Sequence, residues 1–320
     1  MIMKKMILSM AIVLGCSMGT FAQSSLVATL QHGSNIQAFY GIDALSSAHT
    51  AAVDGDVITL STGEFNSCNI TKAITLRGEG IGKTILNSTL TFTIPHGSAY
   101  TLSLEGLEFG DDYNVNINGT DGTEKVVISK CRFDLWQYDC HITSCNATIV
   151  QCNVSGGGVR AYGNSNITCL NSKLGRVSRN ENSRFDIQNC VLTGGYDMKY
   201  SSIKNSIIDW GGAPWSLDAS STSSHCLVLN NASGFADSYY VDSWEGIIVD
   251  NPRYTSEQAA SLYQLTESAA STYLGTDGTK VGIYGGMYPY DETPSYPLVK
   301  TLDVIGTHSN GKLNVKINVE

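Results

Sequence analysis

At 320 residues with 42% hydrophobic content, the chain can bury a substantial core, as one elongated domain or as two ordinary ones. Charged residues make up 15%, against about 25% in a typical globular protein, and Ser, Thr, Asn and Gly fill the gap, the composition of a turn-rich, strand-rich chain. A net charge of −9 disfavours nucleic acid and anionic lipid as partners, and it counts against a strongly acidic polysaccharide unless calcium or a local basic patch intervenes.

Residues 1–22 read as a signal peptide. Lys4 and Lys5 form a basic start, Met6 to Leu14 an apolar run too short to span a bilayer, and Thr20-Phe21-Ala22 a small-residue cleavage context before Gln23. The chain is therefore expected to be exported to the periplasm, the cell surface or the medium. An alternative takes Val13-Leu14-Gly15-Cys16 as a lipoprotein signal with Cys16 acylated. No later apolar run reaches the roughly 18 residues of a membrane-spanning helix.

Residues 23–56 are expected to form an N-terminal cap. Within it "IDALSSAHTAAV" places Ile42, Leu45, Ala48, Ala52 and Val53 at helical spacing, and Asp54-Gly55-Asp56 ends the helix before the strand Val57 to Leu60. From there to a second helix expected near Ser256 to Leu265, short alternating strands and polar turns repeat. Aligning "VVISKCRF", "ATIVQCNV", "TCLNSKL", "FDIQNCVL" and "SIKNSII" makes Cys131, Cys152, Ser172, Cys190 and Ser206 equivalent, at separations of 21, 20, 18 and 16 residues.

A period near 20 means stacked units, each too thin to bury its own core. The irregular spacing favours a right-handed parallel β-helix over a strict hexapeptide solenoid, and the leucine framework of leucine-rich repeats is absent. Inward residues such as Ile128, Ile149, Ile187 and Ile203 would stack on the turns above and below at about 4.8 Å. The pairs that follow them (Lys130-Cys131, Gln151-Cys152, Asn171-Ser172, Asn189-Cys190, Asn205-Ser206) read as corners, where an Asn side chain can bond its own backbone and the next Asn amide. Residues 57–286 are assigned to this all-β solenoid. Residues 287–320 hold the Pro- and Tyr-rich "MYPYDETPSYP" and a β-hairpin about Ser309-Asn310-Gly311 that would cover the open end of the coil, or serve as an anchor or sorting hairpin.

"AAVDGDVITLSTGEF" followed by "ITKAITLRGEG" resembles the opening rungs of pectin-lyase-like right-handed parallel β-helix proteins, in which a helix caps the coil before a Gly-Asp-x-Ile strand. The closing stretch "LTESAASTYLGTDGTKVGIYGG" resembles the last-rung pattern of secreted, mostly uncharacterised β-helix proteins of Bacteroidetes, with Ser268-Ala269-Ala270 where that pattern usually has Ser-Pro-Ala. The resemblance implies the fold and little about activity, since this architecture hosts lyases, hydrolases, adhesins and inert stalks.

Eight cysteines follow Cys16. Cys131 and Cys152 on adjacent rungs would lie within disulfide reach, yet buried free thiols serve equally, because Ser replaces Cys in the same ladder. No CxxC pair points to zinc. The catalytic patterns of the resembled family are not matched. Asp111-Asp112 comes with Gln31-His32-Gly33 and Pro95-His96-Gly97 in place of Gly-His-Gly, and Ile208-Asp209-Trp210 lacks the His of Trp-Ile-Asp-His. Catalytic residues therefore stay unassigned.

The candidate site is a column. Reading "YDCHIT", "GVRAYG", "GRVSRN", "YDMKYS" and "WSLDAS" as rungs of one sheet with Cys140, Val159, Val177, Met198 and Leu217 inward turns Asp139, His141, Arg160, Tyr162, Arg176, Asp197, Lys199 and Asp218 outward. Such a column could bind a glycan, with Trp136, Tyr138, Trp210 and Trp215 offering apolar faces to sugar rings; the plain alternative is a solvated face of paired charges. Asp197 with Asp218 could hold calcium, two carboxylates short of a full shell, and otherwise no cofactor or metal is expected. Acid-base catalysis by Asp139 or Asp197 with Arg160 is a further option, although spacing fixes neither separation nor pKa. The expectation is an exported monomer that binds a polysaccharide or another surface component without catalysis; the alternatives are an unfamiliar polysaccharide lyase or glycoside hydrolase, and a structural stalk or adhesin.

Overall fold

The computed structural model describes residues 26–87, 89–110, 114–134, 139–155, 157–180, 182–196, 198–209, 215–229, 232–249, 263–296, 299–304 and 315–319. The signal segment with Cys16, Asp111-Asp112, most of the helix expected at 256–265 and the 309–311 turn lie outside these residues. The chain is all-β, a parallel solenoid of about 8 turns. Among the described residues no helix is long and apolar enough to cross a membrane.

The turns lay down short strands on up to three faces. Those of the first face run from Val57–Leu60 through Lys125–Ser129, Asn146–Val150, Asn166–Leu170 and Arg184–Gln188 to Thr222–Ser224. The second face runs from Gly63–Asn66 to Tyr239–Val241. The third stacks Leu90–Thr93, Val115–Asn118, Asp139–Thr143 and Gly158–Tyr162, and the seven-residue strand Lys173–Arg179 bridges it to the second. Period-2 alternation decides what enters the coil: Ile128, Ile149, Cys169, Ile187 and Ile203 pair rung upon rung, all buried. Phe65, Phe92, Phe109, Phe133 and Phe185 are the largest fully buried side chains, and Phe109 and Phe133 stack with ring centroids 4.5 Å apart.

The N-terminal end is closed by two elements. An antiparallel hairpin, Val27–His32 with Asn35–Tyr40, adds to the first face against Val57–Leu60, an element the sequence reading did not foresee. The expected helix forms at Ala44–Ala51 and buries Ala44, Leu45 and Ala48, while Ile42 and Val53 stay exposed. Asp54-Gly55-Asp56 acts as its stop: Asp56 accepts from Val53 N and pairs with His32 Nδ1 at 2.7 Å, and Asp54 accepts from Ala73 N. Gly55 has φ +88, and a Cβ there would meet the Tyr100 ring at 2.5 Å.

At the other end the coil is wrapped rather than simply capped. The described C-terminal helix is Glu267–Thr272, with Thr266 as its N-cap. Outward residues of the last second-face strands, Val191, Ile207 and Leu227, form a second core with Trp244, Tyr263, Leu265, Val281 and Ile283. Residues 274–296 then run back along the corner between the first and second faces. The 299–304 and 315–319 strands pair as an antiparallel hairpin.

That corner is where the aligned pairs sit. Lys130, Gln151, Asn171, Asn189, Asn205 and His225 all have φ between 45 and 54, left-handed positions that an L-residue occupies at a cost. Their side chains do not form the Asn-to-Asn ladder expected; where hydrogen bonds are seen, they reach the returning segment. Asn205 Nδ2 donates to Thr276 Oγ1, and Thr276 N donates back to Asn205 Oδ1. Asn171 Nδ2 donates to Ile283 O and Gly285 O, Gln151 Nε2 to Pro289 O, and Lys130 Nζ to Thr293 O. Ser295 N donates to Glu105 Oε1, and the Arg77 guanidinium lies 5.0 Å over the Tyr296 ring. The glycines of "GTDGTKVGIYGG" allow this approach: a Cβ on Gly275 would come within 2.7 Å of Asn205, and one on Gly286 within 2.8 Å of Asn189.

The residue after each left-handed corner is small because it points into the coil. Ser172 and Ser206 donate to the carbonyl two residues back, and Cys131, Cys152, Cys190 and Cys226 donate their thiols to the same carbonyl. Ser and Cys exchange in this column because both make that bond. All eight described cysteines are free thiols.

Candidate functional site

Three adjacent third-face strands hold the first half of the expected column in register. Cys140 pairs with Val159 and Val159 with Val177, all buried, while His141 pairs with Arg160 and Arg160 with Ser178 on the outer side. Beyond them the expected register shifts. Val177 pairs with Gly195 instead of Met198, and the strand carrying Trp215 pairs with Ala232–Ser233 in a separate sheet. "YDMKYS" starts a new corner, and the five pieces are not five rungs of one sheet. Asp197, Trp136, Tyr138 and Trp210 lie outside the described residues, as does the side chain of Trp215.

Asp139 is the centre of what remains. It starts its strand on the outer side yet is only 4% exposed, because two arginines from later turns close over it. Arg160 Nε lies 2.6 Å from Oδ2, and Arg176 Nη2 donates to Oδ1 and Oδ2 at 3.0 and 2.9 Å. Arg176 sits two rungs away, and Gly158 between them makes the contact geometrically possible: a Cβ there would meet Arg176 O at 1.9 Å. Arg176 is oriented by charge-assisted hydrogen bonds to the carboxylate, while Arg160 meets it as a close ion pair. Both oxygens of the Asp139 carboxylate are thus engaged by guanidinium groups.

Over the arginines lies a hollow of about 310 Å³ lined by Arg160, Tyr162, Arg176, Ser178, Arg179 and Asn180. His141 bonds Asn116 Oδ1 through Nδ1 at 3.2 Å and meets Tyr162 edge-on with centroids 5.4 Å apart. Burial pushes the His141 pKa below its ordinary value, with the Asp139 charge opposing the shift and the Arg160 charge adding to it. Sequence reading selected Arg176 from "GRVSRN" and missed Arg179, because strict alternation from Val177 turns position 179 inward; the strand ends there, and the side chain comes out at the corner.

Lys199 and Asp218 stand apart from this cluster, at the corner between the third and first faces. Asp218 Oδ1 accepts from Ser220 Oγ and N, and these bonds, with the nearby Lys199 and Arg179 charges, hold its pKa below the ordinary value. The adjoining first face carries a larger groove of about 600 Å³, with Asn166, Arg184, Asp186 and Tyr200 among its lining.

A third cluster brings single ligand atoms of His96, Asp121 and Glu124 within 4.8 Å of one another. Its oxygens are largely engaged: Glu124 Oε1 pairs with His96 Nδ1 at 3.1 Å, Glu124 Oε2 accepts from Asp121 N, and Asp121 Oδ1 accepts from Thr123 N and Oγ1. Burial is the largest influence on Glu124 and acts upward, but hydrogen bonds from its own amide, His96 and the amides of Thr120 and Asp121 together hold the carboxyl at about 2. The cluster is built as a turn lock.

Burial pushes Cys145 and Cys190 up to about 12, and Cys68 and Cys226 up to about 11, far from the thiolate a reactive cysteine requires. No family model matches the chain, and neither a curated protein nor a solved structure does.

Proposed function

We propose that this chain is an exported, monomeric β-helix protein of pectin-lyase-like type, akin to the secreted β-helix proteins of Bacteroidetes, that binds a glycan or another cell-surface component without turning it over. The observation that carries the reading is the buried Asp139 paired with Arg160 and hydrogen-bonded to Arg176 beneath a hollow that also presents Tyr162. Planar guanidinium donors beside an aromatic ring suit hydroxyl and ring-oxygen acceptors and the apolar face of a sugar. They also provide the local basic patch that an acidic chain needs if the glycan carries carboxylate or sulfate groups. No resident cofactor belongs to the proposal.

The test is an array of neutral, carboxylated and sulfated polysaccharides, probed with the purified protein with and without calcium. Selective binding that falls at least tenfold in Arg160→Ala and Tyr162→Ala, with unchanged melting, supports the reading. Release of unsaturated or reducing ends would replace it with an enzyme, calcium-dependent binding would bring the Asp218 region into play, and silence across the array would favour a stalk or adhesin.

A further inference from the structure

Tyr200 is expensively placed. It is 67% exposed, and its φ of 52 puts a bulky aromatic in the left-handed region, where a residue of that size is an outlier that the surroundings must enforce. The same corner on another turn meets the same demand with Ser144, at φ 50. Both precede a small residue that donates to the carbonyl two positions back, Cys145 and Ser201, so the geometry itself does not call for an aromatic.

The surroundings hold the ring ready. Tyr200 N donates to Ser220 Oγ, which donates to Asp218 Oδ1 at 2.6 Å, and the Arg179 guanidinium lies 5.4 Å over the Tyr200 ring. On one side of the ring runs the first-face groove, where parallel pairing stacks Asn146, Asn166 and Arg184 in one row and Thr168, Asp186, Ser202 and Thr222 in the next. These rows offer donors and acceptors at the strand spacing of about 4.8 Å. On the other side Arg179 also lines the arginine hollow, so the stacked pair stands where the two depressions approach each other.

We propose that the first-face groove is a second carbohydrate subsite in which a sugar ring stacks on Tyr200 while its hydroxyls bond the amide and hydroxyl rows, and that a bound chain crosses the corner into the arginine hollow. This rests on the glycan reading above, and it names the ligand as an extended polyhydroxylated chain longer than either depression alone. An exposed aromatic face beside rows of polar side chains, with the charged Arg184 and Asp186 among them, matches a pyranose ring, apolar on its faces and polar at its rim.

The experiment takes the array polysaccharide bound best by the native protein, with a length series of its oligosaccharides, and compares native protein, Tyr200→Ala, Tyr200→Phe and Arg160→Ala by calorimetry, with melting curves as the fold control. Expected are a loss of about tenfold in Tyr200→Ala, the size of an aromatic stacking contribution, native affinity in Tyr200→Phe, and affinity in the native protein that rises with length until both depressions are spanned. Unchanged binding in Tyr200→Ala while Arg160→Ala loses it would overturn the second subsite and leave the hollow standing. The reverse pattern would overturn the hollow and the crossing while keeping the Tyr200 groove. Absence of binding to every polysaccharide by the native protein would overturn both.

Discussion

Two corners of the same coil use one backbone device for different ends. Along the corner between first and second faces, left-handed residues from Lys130 to Asn205 turn their side chains onto the chain's own C-terminal segment. Along the corner between third and first faces, Tyr200 adopts the same conformation and is left facing solvent. Both project a side chain away from the coil; what differs is whether 274–296 lies over it. A solenoid corner is thus a row of outward sockets, which the fold fills itself on one side and leaves open on the other.

Breaking the strapped corner should cost stability in proportion to what is buried there. The largest effect is expected for Ile283→Ala, whose side chain is 1% exposed in the second core. A loss of about 2–5 kcal/mol should appear in chemical denaturation, and a loss near zero would mean that the strap is not an integral part of the folded unit. Asn171→Ala leaves the carbonyls of Ile283 and Gly285 without their donor, for an expected cost of about 1–3 kcal/mol. Hydrogen exchange should show residues 283–286 losing protection before the coil does.

The turn lock carries a pH signature. Glu124 titrates at about 2 in the folded chain, below its ordinary 4.5, so its contribution is complete above about pH 4.5 and fades as the pH falls towards 2. His96, raised by its bond to Glu124 and the Asp121 charge, adds stability below about 6.5 that is lost as the pH rises through its folded value. The melting difference between native protein and Glu124→Gln should therefore be widest between about pH 4.5 and 6.5 and vanish near pH 2. A difference that is flat with pH would remove Glu124 from the account. The smallest expected stability effect belongs to Tyr200→Ala at the open corner, within about 0.5 kcal/mol. A cost as large as that of Asn171→Ala would show the two corners to be structurally alike and erase the distinction.

Much of the coil was legible because its signal is local. Alternation within eight residues exposed the Ile ladder, and the spacing of Cys131, Cys152, Ser172, Cys190 and Ser206 gave the register that the strands adopt. The candidate column was legible only through its first three rungs. At "YDMKYS" the turn length changes, and a few residues of slip moved Met198 off the Val177 partner, which is Gly195. The sequence also offered no sign that Asp139, though on the outer side of its strand, would be closed over from two rungs away, since that depends on Gly158 leaving room.

What the sequence determined by itself was the repeating unit: which residues enter the coil, where each corner falls, and where the N-terminal helix begins to be stopped by Asp54-Gly55-Asp56. These follow from side-chain periodicity and from turn residues acting within a few positions of themselves. The tertiary structure alone decided which corner is covered and which is open, because the contacts concerned join Asn171 to Ile283 and Lys130 to Thr293 across more than a hundred residues. Corner side chains such as Asn171 and Tyr200 look equally solvent-facing in a list of rungs. Only the path of the returning chain makes one a structural anchor and leaves the other exposed.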